Sequence, residues 1–404
     1  MSALAIDFES RSGGDVESKD FGGCASGGGL ALDRTSLVMV LSNWNVLLFW
    51  RKIMAKAFQV SLLHSLILGE GRPPTLPTKL PDIAREVEKR SGRRVAFLVE
   101  SGLGSEIGLT DSDWRAEAGK VDIVVTGKPE ILYDSDLILT TKQPIKKQLP
   151  YFKKGQGWSG FLHEEANQEV ADYLRELGVL LMPWEKEAEI LKAMSKIAGE
   201  VAPIILDRFS REIWKKDWRG ENAFFLGARG MVCRHEIAAM RRAGWQGEIY
   251  GCDVVSGEFT TEDTGEPHTY KTFVLESKDE VLAALQVCKI VELAALDCNG
   301  KAPKVITREH LVVLPHNAFI MQAAIDNGGN ISCNGFQIYT YWPDCYFYRT
   351  YTDVWRRFVC NIPNRPGAIA PKEASIALAE VNFEFLCRAI STFPDVPKEC
   401  ISKN

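Results

Sequence analysis

From Met54 onward, short apolar runs alternate with stretches of helical period, the pattern of an α/β protein with parallel sheets. The runs predict strands at Phe58–Leu68, Arg94–Glu100, Val121–Thr126, Asp136–Thr140 and Val179–Met182. Helices are predicted at Pro81–Arg90, Glu165–Leu177 and from Ala188 to Trp218. At Ala223 the pattern restarts: an apolar strand Ala223–Leu226, a turn Gly227-Ala228-Arg229-Gly230, a helix Met231–Ala243, and a strand Glu248–Cys252 ending at Asp253. This is the βαβ opening of a Rossmann-type nucleotide-binding domain. Further strands are predicted at Val291–Leu293 and Phe319–Ala323, with a closing helix at Pro371–Arg388 that returns to the first domain. No repeat of solenoid spacing occurs, and Phe336–Tyr351 reads as an aromatic-rich loop or hairpin.

The pattern divides the chain into a poorly structured extension (1–53), a first α/β domain (54–205 completed by 365–404) and a nucleotide-binding domain (206–364), with a cleft between the two domains. Residues 1–36 are rich in Gly, Ser and Asp. Leu37–Trp50 is apolar but holds only 14 residues, interrupted by Ser42, Asn43 and Asn45, whereas spanning a bilayer takes about 20. A packed or interfacial segment, a targeting signal and an anchor remain as readings of it, and Met54 is a candidate start of the catalytic unit.

Composition narrows the function. With 404 residues, 46% apolar and 25% charged, the chain is ordinary globular protein of two-domain size. A net charge of −5 argues against a nucleic-acid partner. Ten scattered cysteines without a CxxC pair offer no zinc spacing and read as reduced, mostly buried thiols of a cytoplasmic protein. No metal is expected.

The candidate chemistry lies in two groups. Gly227 and Gly230 supply a tight turn before a helix N-terminus, where a pyrophosphate is held, although the GxGxxG spacing is not kept and Cys233 stands where a last glycine belongs. Asp253 lies 26 residues after Gly227 at a strand end, where a carboxylate accepts ribose hydroxyls and favours NAD over NADP. In the first domain, Arg72 offers a fork for a carboxylate, Lys142 can hold a 2-oxo acid oxygen, and His163 can move protons. On residue type alone, each is equally a surface charge or a satisfied histidine.

Several patches in register resemble alanine dehydrogenase and the N-terminal part of proton-translocating transhydrogenase. They are VESGLGSEIGLTDSDWRAEAG (99–119), TKQP around Lys142, GFLHEEANQEVADYLRELGV around His163, MSKIAGEVA (Met194–Ala202), NGKAPKVITREHL (Asn299–Leu311), AAIDNGGN (Ala323–Asn330) and NRPGAIAPKEAS (Asn364–Ser375). The resemblance spans about residues 66–390. It implies that Lys142 binds the oxo acid, His163 is the acid-base, and Asp326 faces nicotinamide and substrate. It further implies that Arg72 in GEGRPPTLP takes the carboxylate and Asn364 contacts the cofactor. Transhydrogenases do not keep the His and Asp positions, so their joint presence points to a dehydrogenase. GARGMVC and PKEAS instead resemble lysine-forming saccharopine dehydrogenase. The short link into the nucleotide domain and Trp184-Glu185 are similar to carboxyethylornithine synthase.

The expectation is an NAD-dependent oxidoreductase of amino-acid metabolism, interconverting pyruvate and alanine. Two alternatives stand beside it: an opine-type enzyme condensing an amino acid with a 2-oxo acid, and a non-catalytic NAD-binding relative with an eroded glycine turn. Arg356 and Arg357 are the candidate second carboxylate anchors for the opine reading. The expected partners are a small-molecule amino acid and a 2-oxo acid, with no nucleic acid and no membrane; homo-oligomerisation stays open.

Overall fold

A computed structural model describes residues 57–67, 69–298, 300–333, 348–352, 355–397 and 400–401. The extension 1–53, Leu37–Trp50, Met54 and 336–347 of the aromatic stretch lie outside the described residues, as does the side chain of Arg356.

The first sheet contains β1 (Phe58–Leu62), β2 (Val95–Glu100), β3 (Asp122–Thr126), β4 (Leu137–Lys142), β5 (Gly157–Phe161) and β6 (Leu180–Pro183), all parallel in the order β3-β2-β1-β4-β5-β6. It is connected by α1 (Leu80–Ser91), α2 (Asp111–Arg115), α3 (Pro129–Leu132) and α4 (Gln168–Leu177). Strands β2 and β4 are apolar without alternation because helices cover both faces; five of six residues in β2 and all six in β4 are buried. The predicted β1 is too long. It stops at Leu62, and the apolar run beyond it leaves the sheet with Leu66 exposed, carrying the chain toward Glu70 and Arg72.

Two helices, α5 (Ala188–Glu200) and α6 (Ala202–Phe209), lead to the second sheet. The single long helix expected over Ala188–Trp218 is interrupted at Val201, with Pro203 opening the second helix. A π-turn Ser210–Trp214 then ends at Lys215 in the left-handed region. The second sheet has β7 (Ala223–Leu226), β8 (Ile249–Asp253), β9 (Gly257–Thr260), β10 (Thr269–Val274), β11 (Ile290–Leu293), β12 (Ala318–Gln322), β13 (Tyr348–Thr352) and β14 (Trp355–Cys360). Its order is β13-β14-β12-β11-β7-β8-β10-β9, parallel except for the edge strands β9 and β13. The helices are α7 (Met231–Arg242), α8 (Lys278–Val287), α9 (Arg308–Val313), α10 (Arg365–Ile369) and α11 (Pro371–Thr392). The hairpin β9–β10 and helix α8 were not read from the sequence. Tyr348–Thr352 pairs with Trp355–Cys360, so the end of the aromatic stretch is one arm of a hairpin.

Both parallel cores reverse strand order at one point, β1/β4 in the first sheet and β7/β11 in the second. Ligands bind outside the carboxyl ends of strands at such switch points. Helix α11 packs into the core of the first sheet through Leu378, Phe385, Leu386 and Ile390. Helix α5 meets α7 at Gly199, where an added Cβ would lie 2.3 Å from Val232 O.

Candidate active site

Lys142 ends β4, buried, where the β4–β5 register shifts between Leu139 and Lys142. Gly160 on β5 permits that irregularity, since a Cβ there would sit 2.1 Å from Thr140 O. Thr140 Oγ1 donates to Lys142 O at 2.6 Å, and Thr141 Oγ1 donates to Arg72 O at 2.7 Å, tying the two cations' backbones together. His163 follows β5 in the left-handed region (φ 47°), its ring stacked on Phe161 at 5.9 Å. Asp326 sits in the 3-10 turn Ala323–Asn327 after β12, closed by Gly328 with φ 99°.

These three residues converge from the two sheets. Lys142 Nζ donates to His163 Nε2 at 2.8 Å and to Asp326 Oδ2 at 3.0 Å. Because an ammonium has only donors, Nε2 accepts and the imidazole is neutral with its proton on Nδ1. Burial, with the Lys142 ammonium beside it, pushes the imidazole down to about 3. Burial raises the Asp326 carboxyl, but the charge of Lys142 and the hydrogen bonds it receives outweigh this and hold it below the usual carboxylate range.

Arg72 lies at the same mouth. Its N, Nε and Nη2 donate to Glu70 at 2.9, 2.8 and 2.6 Å, and Nη2 also reaches Asn364 Oδ1. Nη1 faces Met194 Sδ at 2.8 Å. Asn364, also left-handed (φ 55°), donates its N–H to Asp326 Oδ2 at 3.1 Å and its amide to Glu70. Gly367 is required here, since a Cβ would fall 2.4 Å from Glu70 Oε1. Thus Arg72, Lys142, His163, Asp326 and Asn364 line one cleft of about 140 Å³.

A cavity of about 690 Å³ shares Ser195, Val232, Ala294 and Leu296 with that cleft and runs over the glycine turn. Gly227 (φ 82°) passes so close to the β11 loop that a Cβ would meet Ala295 Cα at 3.1 Å. Gly230 caps α7, so the helix N-terminus opens onto the cavity with Arg229, Met231 and Asp253. Asp253 Oδ2 accepts from Arg229 N at 2.7 Å and Oδ1 from Val254 N at 2.8 Å. The Arg229 side chain turns onto Thr272 Oγ1 (2.8 Å) and over the Phe259 ring. Ala228 is buried behind the turn, its carbonyl accepting from Tyr270 Oη at 2.6 Å, and it does not line the cavity.

Cys233, where a last glycine belongs, is fully buried, with Sγ 3.7 Å from Leu226 O. One expectation changes. Arg357 does not reach the cleft; it lies on β14, where Nη2 donates to the Val312 and Leu314 carbonyls at the C-terminal end of α9. The partners Glu70 and Glu185, and a fully buried cluster of Arg365, Glu292 and Glu236, were missed. Glu70 was visible only as part of GEGRPP, and the cluster has no local signal because its members come from three elements. Among the described residues, no three His, Cys, Asp or Glu side chains gather as metal ligands, and no helix is long and apolar enough to cross a membrane. Cys233, Cys252, Cys288, Cys360, Cys387 and Cys400 are free and buried, while Cys298 is free and exposed.

No family model matches the chain. It is similar to alanine dehydrogenase 1 of Staphylococcus aureus (strain NCTC 8325 / PS 47), 24% identical over 343 residues, covering 81% of this chain and 86% of that one. The fold is that of an L-alanine dehydrogenase (TM-score 0.63, 17% identity, 82% of this chain and 89% of that one). It is also that of the transhydrogenase from Sinorhizobium meliloti (TM-score 0.59, 18% identity, 81% and 93%). The chain is therefore an α/β protein with the fold of alanine dehydrogenase and transhydrogenase. Over 81% of its length its sequence is similar to an alanine dehydrogenase.

Proposed function

We propose that the chain is an NAD-dependent oxidoreductase acting on the C–N bond of an L-amino acid, interconverting L-alanine and water with pyruvate and ammonia. The observation that carries this reading is the contact of Lys142 with both His163 and Asp326 beside the cavity over the glycine turn. NAD fits the second cavity: Gly227 permits close approach, the α7 N-terminus suits a pyrophosphate, and Asp253 keeps lone pairs for ribose hydroxyls. The cofactor supplies the hydride acceptor. The neutral imidazole of His163 takes the proton that leaves the amine as the substrate becomes an imine, and then serves the addition of water that releases ammonia. Lys142 holds the oxygen of the 2-oxo acid, and Arg72 meets its carboxylate through Nη1, the donor directed at Met194 rather than Glu70.

Charge favours ammonia over an amino-acid donor. Of the cations lining the cleft, Arg72 and Lys142 are assigned to the one substrate carboxylate and its neighbouring oxygen, and Arg365 is held between Glu292 and Glu236. No cation among the described lining residues remains for the second carboxylate of an opine-type product. The test is NADH oxidation with pyruvate or 2-oxoglutarate, comparing ammonium with lysine and ornithine. Turnover with pyruvate and ammonium is expected; turnover with an amino acid and none with ammonium overturns the reading.

A further inference from the structure

Strand β5 pairs with β6 up to Gly160↔Pro183. Beyond that pair β6 has no backbone to offer, because the chain enters the 3-10 turn Trp184–Lys186. The N–H groups of Leu162 and His163 are therefore left without ladder partners. The Glu185 side chain takes the place of the missing strand. Its Oε2 accepts from Leu162 N at 3.1 Å and its Oε1 from His163 N at 2.6 Å, one carboxylate oxygen for each of two consecutive N–H groups. On the other side of the same turn, Asn167 Nδ2 donates to the carbonyls of Leu162 (2.8 Å) and His163 (3.1 Å). His163 is held in a left-handed backbone conformation that is uncommon for a residue with a Cβ and is kept here by hydrogen bonds on both sides of the turn. That conformation swings the imidazole back over Phe161 and brings Nε2 to Lys142.

We infer that Glu185 is a positioning residue for His163: its carboxylate imposes the backbone turn that aims the imidazole at Lys142 and Asp326. It touches neither Lys142 nor Asp326 by hydrogen bond and acts only through the backbone of the residue it grips. The inference rests on the proposed role of His163, but its structural consequence is independent of that role.

Two measurements test it. The first is a crystal structure of Glu185→Ala. With the N–H groups released, His163 is expected to leave the left-handed region and Nε2 to move beyond hydrogen-bond distance of Lys142 Nζ; an unchanged His163 overturns the inference whatever the activity. The second is NADH-dependent turnover of the wild type, Glu185→Ala and Glu185→Asp. Loss of on the order of 10-fold or more in kcat is expected for Ala with KM for NADH unchanged, and partial recovery for Asp, which restores an acceptor. Equal kcat in all three, or a loss that merely follows a lowered Tm and a raised KM for NADH, overturns it. A wild type without turnover removes the proposed reaction and leaves the crystallographic result to decide about Glu185.

Discussion

Lys142 and His163 lie 2.8 Å apart, nitrogen to nitrogen, at the carboxyl ends of two neighbouring strands, with no intervening group. The pair faces Asp326 from the other sheet, so one ammonium joins residues that follow strands of both sheets. Removing Lys142 leaves His163 Nε2 without its donor and the half-buried Asp326 without its cation, whereas removing His163 leaves Lys142 paired with Asp326 alone. His163→Ala and Lys142→Ala are each expected to lower kcat/KM by roughly 10²-fold or more, because positioned proton transfer contributes about 10²–10⁴. Unchanged circular dichroism with that loss supports the assignment; near-full activity at saturating NADH in either variant removes it.

The parts of this site legible from sequence are those where a local pattern and a role coincide. Gly227, Gly230 and Asp253 announce themselves by spacing around an apolar strand, and Lys142 and His163 stand at the ends of strand-like runs. Glu185 is different. Its task arises because Pro183 ends one strand two residues before its neighbour finishes turning, a mismatch between segments about twenty residues apart. Arg357 misleads for the converse reason: its position on the strand, and not its charge, decides that it serves the C-terminal carbonyls of α9. Gly199, too, looks like a helix-weakening residue until α7 is packed against it.

The same contacts predict the response to acid. Burial and Lys142 lower the His163 pKa in the folded chain to about 3, whereas an unfolded histidine titrates near 6.5. Between those values the unfolded chain binds the extra proton. Stability from this group is therefore complete above about pH 6.5 and is lost as pH falls toward 3. Thermal unfolding followed from pH 7 to pH 4 is expected to show a falling Tm that is shallower in His163→Asn. Parallel curves for the two proteins refute it.

Arg365 is a buried cation held between two buried carboxylates, with Nη2 at 3.0 Å from Glu292 Oε2 and Nη1 at 3.7 Å from Glu236 Oε2. Burial and the neighbouring Glu292 push Glu236 well above its usual range. A raised folded pKa means that the contribution of Glu236 is complete below about 4.5 and declines as pH rises through the folded value. Glu236→Gln, which cannot ionise, is expected to raise Tm more at pH 8 than at pH 5. Arg365→Met alone leaves two unpaired acids and is expected to cost about 3–5 kcal/mol, whereas Arg365→Met/Glu236→Leu/Glu292→Leu restores most of it. Urea unfolding of the single and triple variants checks both statements, and a triple variant less stable than Arg365→Met contradicts them.

Gly199→Ala tests the contact of α5 with α7, the helix that opens at the glycine turn. The new methyl would stand 2.3 Å from Val232 O and 2.7 Å from Glu236 N, both backbone atoms of α7, so the helices must separate. Such overpacking costs about 1–3 kcal/mol. Since α7 starts at the glycine turn, NADH binding is expected to weaken along with the urea midpoint; an unaltered midpoint would show that the helices yield freely.

Cofactor choice turns on Asp253. Each of its oxygens accepts one backbone N–H, from Arg229 and Val254, which fixes the carboxylate at the end of β8 and leaves a lone pair on each oxygen for a ribose hydroxyl. A 2′-phosphate would meet that negative charge. The side chain of Arg229, whose N–H bonds Asp253, is drawn away by Thr272 Oγ1 and the Gly257 carbonyl. NADH is therefore expected to bind more tightly than NADPH. Asp253→Ala should weaken NADH by on the order of 10-fold, since net hydrogen bonds to a charged group contribute about 1.5–3 kcal/mol, and should weaken NADPH less. Asp253→Asn, which keeps one acceptor oxygen but not the charge, should fall between the two for NADH. Fluorescence titration of both cofactors against the three proteins decides it: equal affinity of the unmodified chain for NADH and NADPH would remove Asp253 from the role of ribose acceptor.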